Sequence, residues 1–456
     1  MAVAAGKLTA LATRRMGRGG TSLPGLVAER IDPQLLRHIC RQLGYGSVVV
    51  TGTNGKTTTS RMLAAAAAAA GFHVLHNRSG SNLMRGLTTT AVAGAGVGGT
   101  LSNANGRLGV FEVDEATLPQ AVTALQPRAV IFTNLFRDQL DRYGEVDSIA
   151  AIWRRALERL DNSSTIVLNA DDPSVASLAE VWSGQVLGFG VDDVSHAAET
   201  EHAADSRWCP ACGSEYLYTA LYFGHIGLWS CPGCNRRRIP PAVSATQVKL
   251  EPSGVSRAKF STPQGRVSLD LPLGGLYNVY NALAAMAGAL AAQLPLAAVT
   301  TALEGTDAAF GRQERMVVRG RDVHMLLCKN PAGANQILRL LAAESGAQHL
   351  LILLNDDVAD GRDISWIWDV DYESLAGTVD SVVVSGRRAD DMALRLKYAG
   401  LEHMLVVEPN PRLAVERALT LVPEGCRLFV LPTYTAMLTV REHLAGLAGR
   451  SHFWEG

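Results

Sequence analysis

The sequence predicts an α/β protein of mostly parallel sheets, with an inserted four-cysteine lobe and a second α/β domain toward its C-terminal end. Three observations predict it. Short apolar runs of strand length alternate with helical stretches along most of the chain. A glycine-rich octet, Thr51–Thr58, follows the first such run and opens a helix. Two Cys-x-x-Cys pairs then interrupt the pattern. A chain of 456 residues exceeds one ordinary core and is expected to form two or three domains.

The elements follow in order. Residues 1–45 form an N-terminal segment whose start carries Lys7, Arg14, Arg15 and Arg18. It reads as a mobile or packed helix, or as a basic amphipathic helix touching a membrane surface. Residues 46–310 form the central domain. Its strand candidates are Ser47–Val50, Phe72–Leu75, Leu108–Val113, Ala129–Thr133 and Thr165–Leu168, with helices from Thr57 to about Ala70 and over Ile149–Leu160. Residues 91–106, rich in Gly, Ala and Asn, read as a flexible loop, and residues 192–206 as a polar surface link. Residues 206–238 are the cysteine insert. Gln247–Leu271 reads as short strands with turns, and Asn278–Ala292 as an Ala-rich helix. Composition changes near Gly305–Arg319, and 311–456 is the second α/β domain. Its strand candidates are Val323–Cys328, His349–Leu354, Ser381–Val384, Met404–Val407 and Arg427–Leu431, with helices such as Asn335–Ala342 and Asp390–Ala399.

Composition excludes some functions. Lys and Arg number 42 against 43 Asp and Glu, a formal charge of -1, which argues against a surface built for nucleic acid. No run approaches the roughly 20 apolar residues of a membrane span. Seven cysteines, four of them in two pairs, form a metal pattern more than a disulfide framework. A reducing, cytoplasmic location is expected, with peripheral contact to the inner face of the cell membrane as an option.

The octet carries the chemistry. Glycines let the backbone of Thr51, Gly52, Thr53, Asn54 and Gly55 curl so that N–H groups and the helix N-terminus face phosphate oxygens. Lys56 would neutralise the β and γ phosphates of ATP, and the Thr57 hydroxyl is the expected Mg2+ ligand, with Thr58 its substitute in another register. The first glycine of the strict eight-residue pattern is replaced by Thr51. One strand later, Glu112 stands where a carboxylate would face the ligand crevice and is the candidate second Mg2+ ligand, with Asp114 and Glu115 behind it. Asn134, Arg137 and Asp138 would line the same crevice. Asn169–Asp172 either touches nucleotide or caps a helix.

Cys209 and Cys212 are separated from Cys231 and Cys234 by eighteen residues. Two such knuckles build a tetrahedral sulfur site that suits Zn2+. Four protein ligands leave no open position, so the predicted zinc ribbon is structural. An iron–sulfur cluster or a redox dithiol is the other use of such spacing.

Together these motifs resemble the Mur ligase family of peptidoglycan enzymes. The octet resembles that family's ATP loop, and Glu112 falls at its magnesium glutamate. Thr133-Asn134 and Asp138-Gln139-Leu140-Asp141 resemble the segment after the next strand, with Gln139 where a histidine is usual. Asn169–Asp172 resembles an Asn-x-Asp-Asp segment, and Gly275–Ala282, with Asn278, the motif before a central helix. Gly311–Arg315, with Arg312 or Glu314 near nucleotide, resembles the hinge. The resemblance implies a three-part Mur ligase-like architecture with a central P-loop ATPase domain.

Cys328-Lys329-Asn330-Pro331 departs from the Asp-x-Ala-His-x-Pro motif of the amino-acid-adding members. With the cysteine insert and the aspartate-rich run Asn355–Asp369, it places the resemblance nearer the members that amidate. That implies ATP-dependent amidation of the D-glutamate α-carboxyl of the lipid II stem peptide, through an acyl phosphate. Ammonia would come from a GatD-like class I glutaminase subunit bound as a heterodimer. Asp360, then Asp369, is the candidate that completes the partner's triad. The rival readings are an amino-acid-adding Mur or folylpolyglutamate-type ligase, and a zinc-containing nucleic-acid-binding NTPase.

Overall fold

The computed structural model describes residues 1–15, 22–77, 81–137, 146–197, 205–251, 254–306, 313–342, 346 and 348–449. Two large sheets organise these residues.

The first sheet has nine strands: β1 (Ser47–Thr51), β2 (His73–His76), β3 (Arg107–Glu112), β4 (Ala129–Phe132), β5 (Thr165–Asn169), β6 (Gln185–Val191), β9 (Val243–Leu250), β10 (Ser256–Thr262) and β11 (Gly265–Leu271). Their order is β11-β10-β9-β6-β5-β4-β1-β3-β2. Pairing is parallel from β2 through β9 and antiparallel at the β9-β10-β11 end. The continuous apolar run of β1 reflects burial on both faces. Val48 and Val50 enter one core with Met62, Leu63 and Val279, and Val49 enters the other with Phe111, Leu118 and Trp153. That alternation is the two-residue period of a strand. Helices Lys56–Ala69 and Leu276–Ala291 cover the first face, and Met84–Gly94, Leu118–Leu125 and Val146–Leu157 the second.

The second sheet has six strands: β12 (Gln313–Val318), β13 (Arg321–Leu326), β14 (Gln348–Leu353), β15 (Val379–Ser385), β16 (Leu405–Val407) and β17 (Arg427–Pro432). Their order is β12-β13-β17-β14-β15-β16, and only the β12–β13 pairing is antiparallel. Helices Pro331–Ala342 and Ala389–Tyr398 pack on one face, and Pro411–Leu421 and Tyr434–Leu447 on the other. Between β6 and β9, β7 (Leu217–Phe223) and β8 (Ile226–Ser230) make a separate hairpin carrying the cysteines.

One expectation is corrected and two are sharpened. The glycine-rich stretch 91–106 is not all loop. Helix Met84–Gly94 covers its start because Leu87, Ala91 and Val92 share a buried face. For residues 1–15 and 22–45 the packed of the two helical readings holds. Helix Ala2–Arg15 lies against helices Leu23–Ile31 and Met84–Gly94 and sends Ala2 and Val3 into the central domain's core. The short strands expected over Gln247–Leu271 extend the nine-stranded sheet of the same domain.

Candidate active site

The octet closes β1 and opens helix Lys56–Ala69 at the C-terminal edge of the first sheet. Gly52 has φ 130° and Gly55 φ 85°, backbone that side-chain-bearing residues rarely adopt. A Cβ on Gly52 would collide with Thr133 Oγ1, and one on Gly55 with Asn281 Oδ1. Conformation and close approach thus both require glycine at these two positions.

The neighbouring strands fix the curl. Register pairs Val50 with Glu112 and Thr51 with Phe132, so β3 and β4 end beside the loop. Asn54 N donates to Asn134 Oδ1 at 2.8 Å, and Asn134 Nδ2 donates to Asn54 O at 3.1 Å. Thr133 Oγ1 donates to the same Asn54 oxygen at 2.7 Å. Thr53 Oγ1 donates to Phe136 O and accepts from Phe136 N, both at 3.0 Å. Thr51 and Thr58 are buried on either side.

Charge gathers at the same place. Lys56 Nζ donates to Gly52 O, to Thr53 O at 3.2 Å and to Glu115 Oε1 at 3.0 Å. Thr57 Oγ1 donates to Glu112 Oε2 at 2.8 Å. Asn77 clamps the Glu112 backbone, donating to its oxygen at 2.8 Å and accepting from its N–H at 2.9 Å. A hydroxyl and a carboxylate so placed can share a divalent cation, and inward N–H groups with an ammonium can hold phosphate.

Other named residues take supporting places. Asn278 Nδ2 donates to Gly274 O at 2.8 Å, and its Oδ1 accepts from Asn281 Nδ2 at 3.0 Å, which sets the amide lying against Gly55. Asp172 caps the short helix Pro173–Ala176 and accepts from Leu135 N at 2.8 Å. Asp171 accepts from Arg238 Nε and Tyr280 OH, each at 2.6 Å, and from Val191 N at 2.7 Å. The alternative left open for Asn169–Asp172 is therefore settled for these aspartates as capping and anchoring. Arg312 and Gly311, and the run Asp138–Asp141, lie outside the described residues. Glu314 pairs with Arg441 at 2.8 Å.

The four paired cysteines come together, with their sulfurs all within 4.8 Å of one another. Cys209 and Cys234 sulfurs are 3.7 Å apart, and those of Cys212 and Cys231 3.3 Å. Metal–thiolate bonds of about 2.3 Å in a tetrahedron need edges near these lengths, so the set fits one ion. Against the upward push of burial, backbone N–H groups of Ala211 and Cys212 hold the Cys209 thiol down to about 6. Burial and the neighbouring thiols push Cys231 up to about 12. The hairpin is tied to the sheet. Trp229 Nε1 donates to Ala170 O at 3.0 Å, Tyr222 OH donates to Val191 O at 2.9 Å, and His225 packs on Phe136 with ring centroids 4.5 Å apart.

Asp360 is 4% exposed. Its carboxylate accepts from Thr435 N at 2.7 Å and from the Thr435 hydroxyl, at the start of helix Tyr434–Leu447. Asp369, half-buried, pairs with Arg137 of the first domain at 3.2 Å. Sequence reading did not give Asn77, Phe136 or Asn281 their places beside the loop. Asn281, inside a quoted motif, had a local signal; Asn77 and Phe136 had none.

A family profile described as the Mur ligase middle domain matches residues 50–209, and one described as MurT ligase C-terminal matches residues 327–437. The chain is 32% identical over 441 residues to the subunit MurT of lipid II isoglutaminyl synthase (glutamine-hydrolyzing) of Staphylococcus aureus strain COL, covering 96% of each chain. It is likewise 32% identical over 445 residues to the Streptococcus pneumoniae R6 counterpart, covering 97% of this chain and 96% of that one. In fold it is similar to a pseudomurein peptide ligase type C from Methanothermus fervidus, with TM-score 0.70, 20% identity, and coverage of 88% of this chain and 79% of that one. MurF from Acinetobacter baumannii superposes with TM-score 0.66 and 19% identity, over 90% of this chain and 79% of that one.

Proposed function

The chain belongs to the MurT family of Mur ligases, and from that premise we propose how its residues carry out the family's reaction. The protein is an ATP-dependent ligase that amidates the D-glutamate α-carboxyl of the lipid II stem peptide, with glutamine as amido donor. The observation that carries the residue assignments is the convergence of Lys56, Thr57 and Glu112 on a loop only glycine can form.

A carboxylate is a poor electrophile and repels nucleophiles. Its oxygen attacks the γ-phosphorus of ATP, the bond from that phosphorus to the β-bridging oxygen breaks, and ADP leaves. Ammonia then attacks the acyl carbon, inorganic phosphate departs, and the nitrogen loses a proton. Loop N–H groups and Lys56 stabilise charge on the transferring group. Thr57 and Glu112 would hold Mg2+, which supplies further neutralisation of the phosphates when bound. Asn134 and Asn278 act behind them by fixing Asn54 and, through Asn281, the Gly55 turn. Arg312 keeps its proposed place near nucleotide.

The cysteine set is proposed to hold Zn2+ as a structural ion, making the hairpin a ribbon that buttresses Phe136 and so Thr53. A glutaminase of the GatD type is the proposed source of ammonia and the heterodimer partner. Asp360 is the carboxylate proposed to complete its triad. Two bonds from Thr435 fix its orientation, as a triad carboxylate requires, and leave only an edge for a partner's imidazole. Asp369, the alternative, is engaged by Arg137. Among the described residues no helix is long and apolar enough to cross a membrane. Helix Ala2–Arg15 exposes Leu8 and Leu11 beside Lys7, and we propose that this face rests on the inner membrane surface, where lipid II resides.

The reading is tested by incubating lipid II with both subunits, glutamine, ATP and magnesium. Expected is a product in which one hydroxyl is replaced by an amino group, with one ADP formed per product and neither with Lys56→Ala. A product heavier by a whole amino acid would point to the amino-acid-adding rival.

A further inference from the structure

We propose that Lys329, carried by the C-terminal domain, is a second ammonium of the triphosphate site, so that the site is complete only when the two domains are together. This rests on the phosphate-loop reading above and extends it to the γ-phosphate end. The segment Cys328–Pro331 is where the chain departs from amino-acid-adding relatives, and the mechanism so far leaves that departure without a use. It joins β13 to helix Pro331–Ala342, at the C-terminal end of a strand paired in parallel with β17. Ligands of open α/β sheets bind at such strand ends.

From there two side chains cross the domain boundary onto the loop. Lys329 Nζ donates to Thr53 O at 3.3 Å. Lys56 Nζ donates to the same oxygen at 3.2 Å. Two ammonium groups from different domains therefore share one carbonyl of the loop. Beside them, Asn330 Nδ2 donates to Asn54 Oδ1 at 3.1 Å, and the reverse amide contact is 3.5 Å. Asn330 is 1% exposed, and its oxygen also accepts from Gly333 N at 2.9 Å, which fixes the orientation of its amide. The asparagine pair sets the register in which Lys329 arrives.

A loop lysine of this kind serves the β and γ phosphates. An ammonium on the same carbonyl sits at the same end of the triphosphate. Its charge would be met by the transferring phosphoryl group, whose equatorial oxygens carry the charge of the transition state. Because Lys329 belongs to the other domain, phosphoryl transfer would await closure, and the acyl phosphate would form only in a site already shielded from water.

A lysine that merely glued the domains would support ADP and ATP alike, and that difference decides the matter. The protein is assayed as the full complex with the glutaminase subunit. Lys329→Met is expected to weaken binding of magnesium β,γ-imido-ATP at least tenfold while leaving ADP within twofold. Lipid II-dependent ADP release should fall about 100-fold in kcat, the loss typical of one charge-stabilising donor. Lys329→Arg should recover part of both. Lys329→Gln, which keeps a polar stem, serves if the methionine variant does not fold. Equal weakening of ADP and imido-ATP, or turnover within threefold of the unaltered enzyme, would overturn the proposal. Lys56→Ala is run alongside. If it too binds imido-ATP normally, the phosphate-loop reading itself falls; if it alone loses binding, only the role of Lys329 does.

Discussion

The phosphate loop and the aspartate-rich run Asn355–Asp369 are both short polar segments following strands, yet their residues are fixed in different ways. At the loop, distant residues brace the curl, but the conformation itself is written locally. Gly52 and Gly55 need positive φ, and the flanking strand and helix follow directly in sequence. In the aspartate-rich run, Asp363 accepts locally from Ser365 N, but four other carboxylates are defined by partners far along the chain. Asp356 meets Arg388 at 2.7 Å, Asp357 meets Arg387 at 2.7 Å, Asp360 meets Thr435, and Asp369 meets Arg137. A motif written in backbone conformation can be read from neighbours in sequence, whereas a set of carboxylates acquires meaning only from the fold around it.

The comparison can be broken most sharply at Lys56. Lys56→Ala should lower amidation by at least about 1,000-fold while the fold persists, because the loop's glycines and its asparagine contacts remain. Near-normal coupled turnover would remove the loop from the chemistry. Glu112→Gln should cost about 100-fold in kcat and raise the magnesium concentration needed for half-maximal rate. A magnesium dependence like that of the unaltered enzyme would detach Glu112 from the cation.

Asp360→Asn probes the other region. Glutamine-dependent turnover should fall about tenfold or more, with ammonia-dependent turnover much less affected. Equal loss with both nitrogen donors would show that the residue acts only through Thr435 and the helix it begins. Cys209→Ser should lower the zinc the protein binds and destabilise the hairpin, read as metal content and thermal midpoint. Unchanged values for both would refute a metal-held lobe.

An effect on stability alone concerns His324. Burial, then Arg315, hold its imidazole down to about 4. The folded state therefore binds fewer protons than the unfolded state between that value and the usual 6.5, so stability should fall as pH drops through this window. His324→Gln should flatten that dependence by on the order of 1–3 kcal/mol between pH 6.5 and 4. An unchanged slope would mean another group titrates.

The same contrast explains what was legible beforehand. The positions of most central strands, the loop with Lys56 and Thr57, and the cysteine set stand out in sequence because each is a periodic or short-range pattern. Glu112 was reachable because it ends a plain apolar strand run, β3. Asn77, which clamps Glu112, and Phe136, which holds Thr53, were not, since each acts through a backbone contact made by tertiary packing. The start of 91–106 misled because alanine and glycine suggested looseness, while Leu87, Ala91 and Val92 line up on a helix face. β6 was missed because its glycines, Gly188 and Gly190, dilute the apolar run; Gly190 lies hard against Asp171 and Arg238.

Whether a phosphoryl group passes from nucleotide to the substrate acid can be followed atom by atom. Lipid II carrying oxygen-18 in the D-glutamate α-carboxyl is incubated with the complex, ATP, magnesium and glutamine, and the released inorganic phosphate is examined by mass. One labelled oxygen in each phosphate, appearing in step with amidated product and absent with Lys56→Ala, is the expected result. Amidated product accompanied by unlabelled phosphate would contradict activation of the carboxylate at this loop.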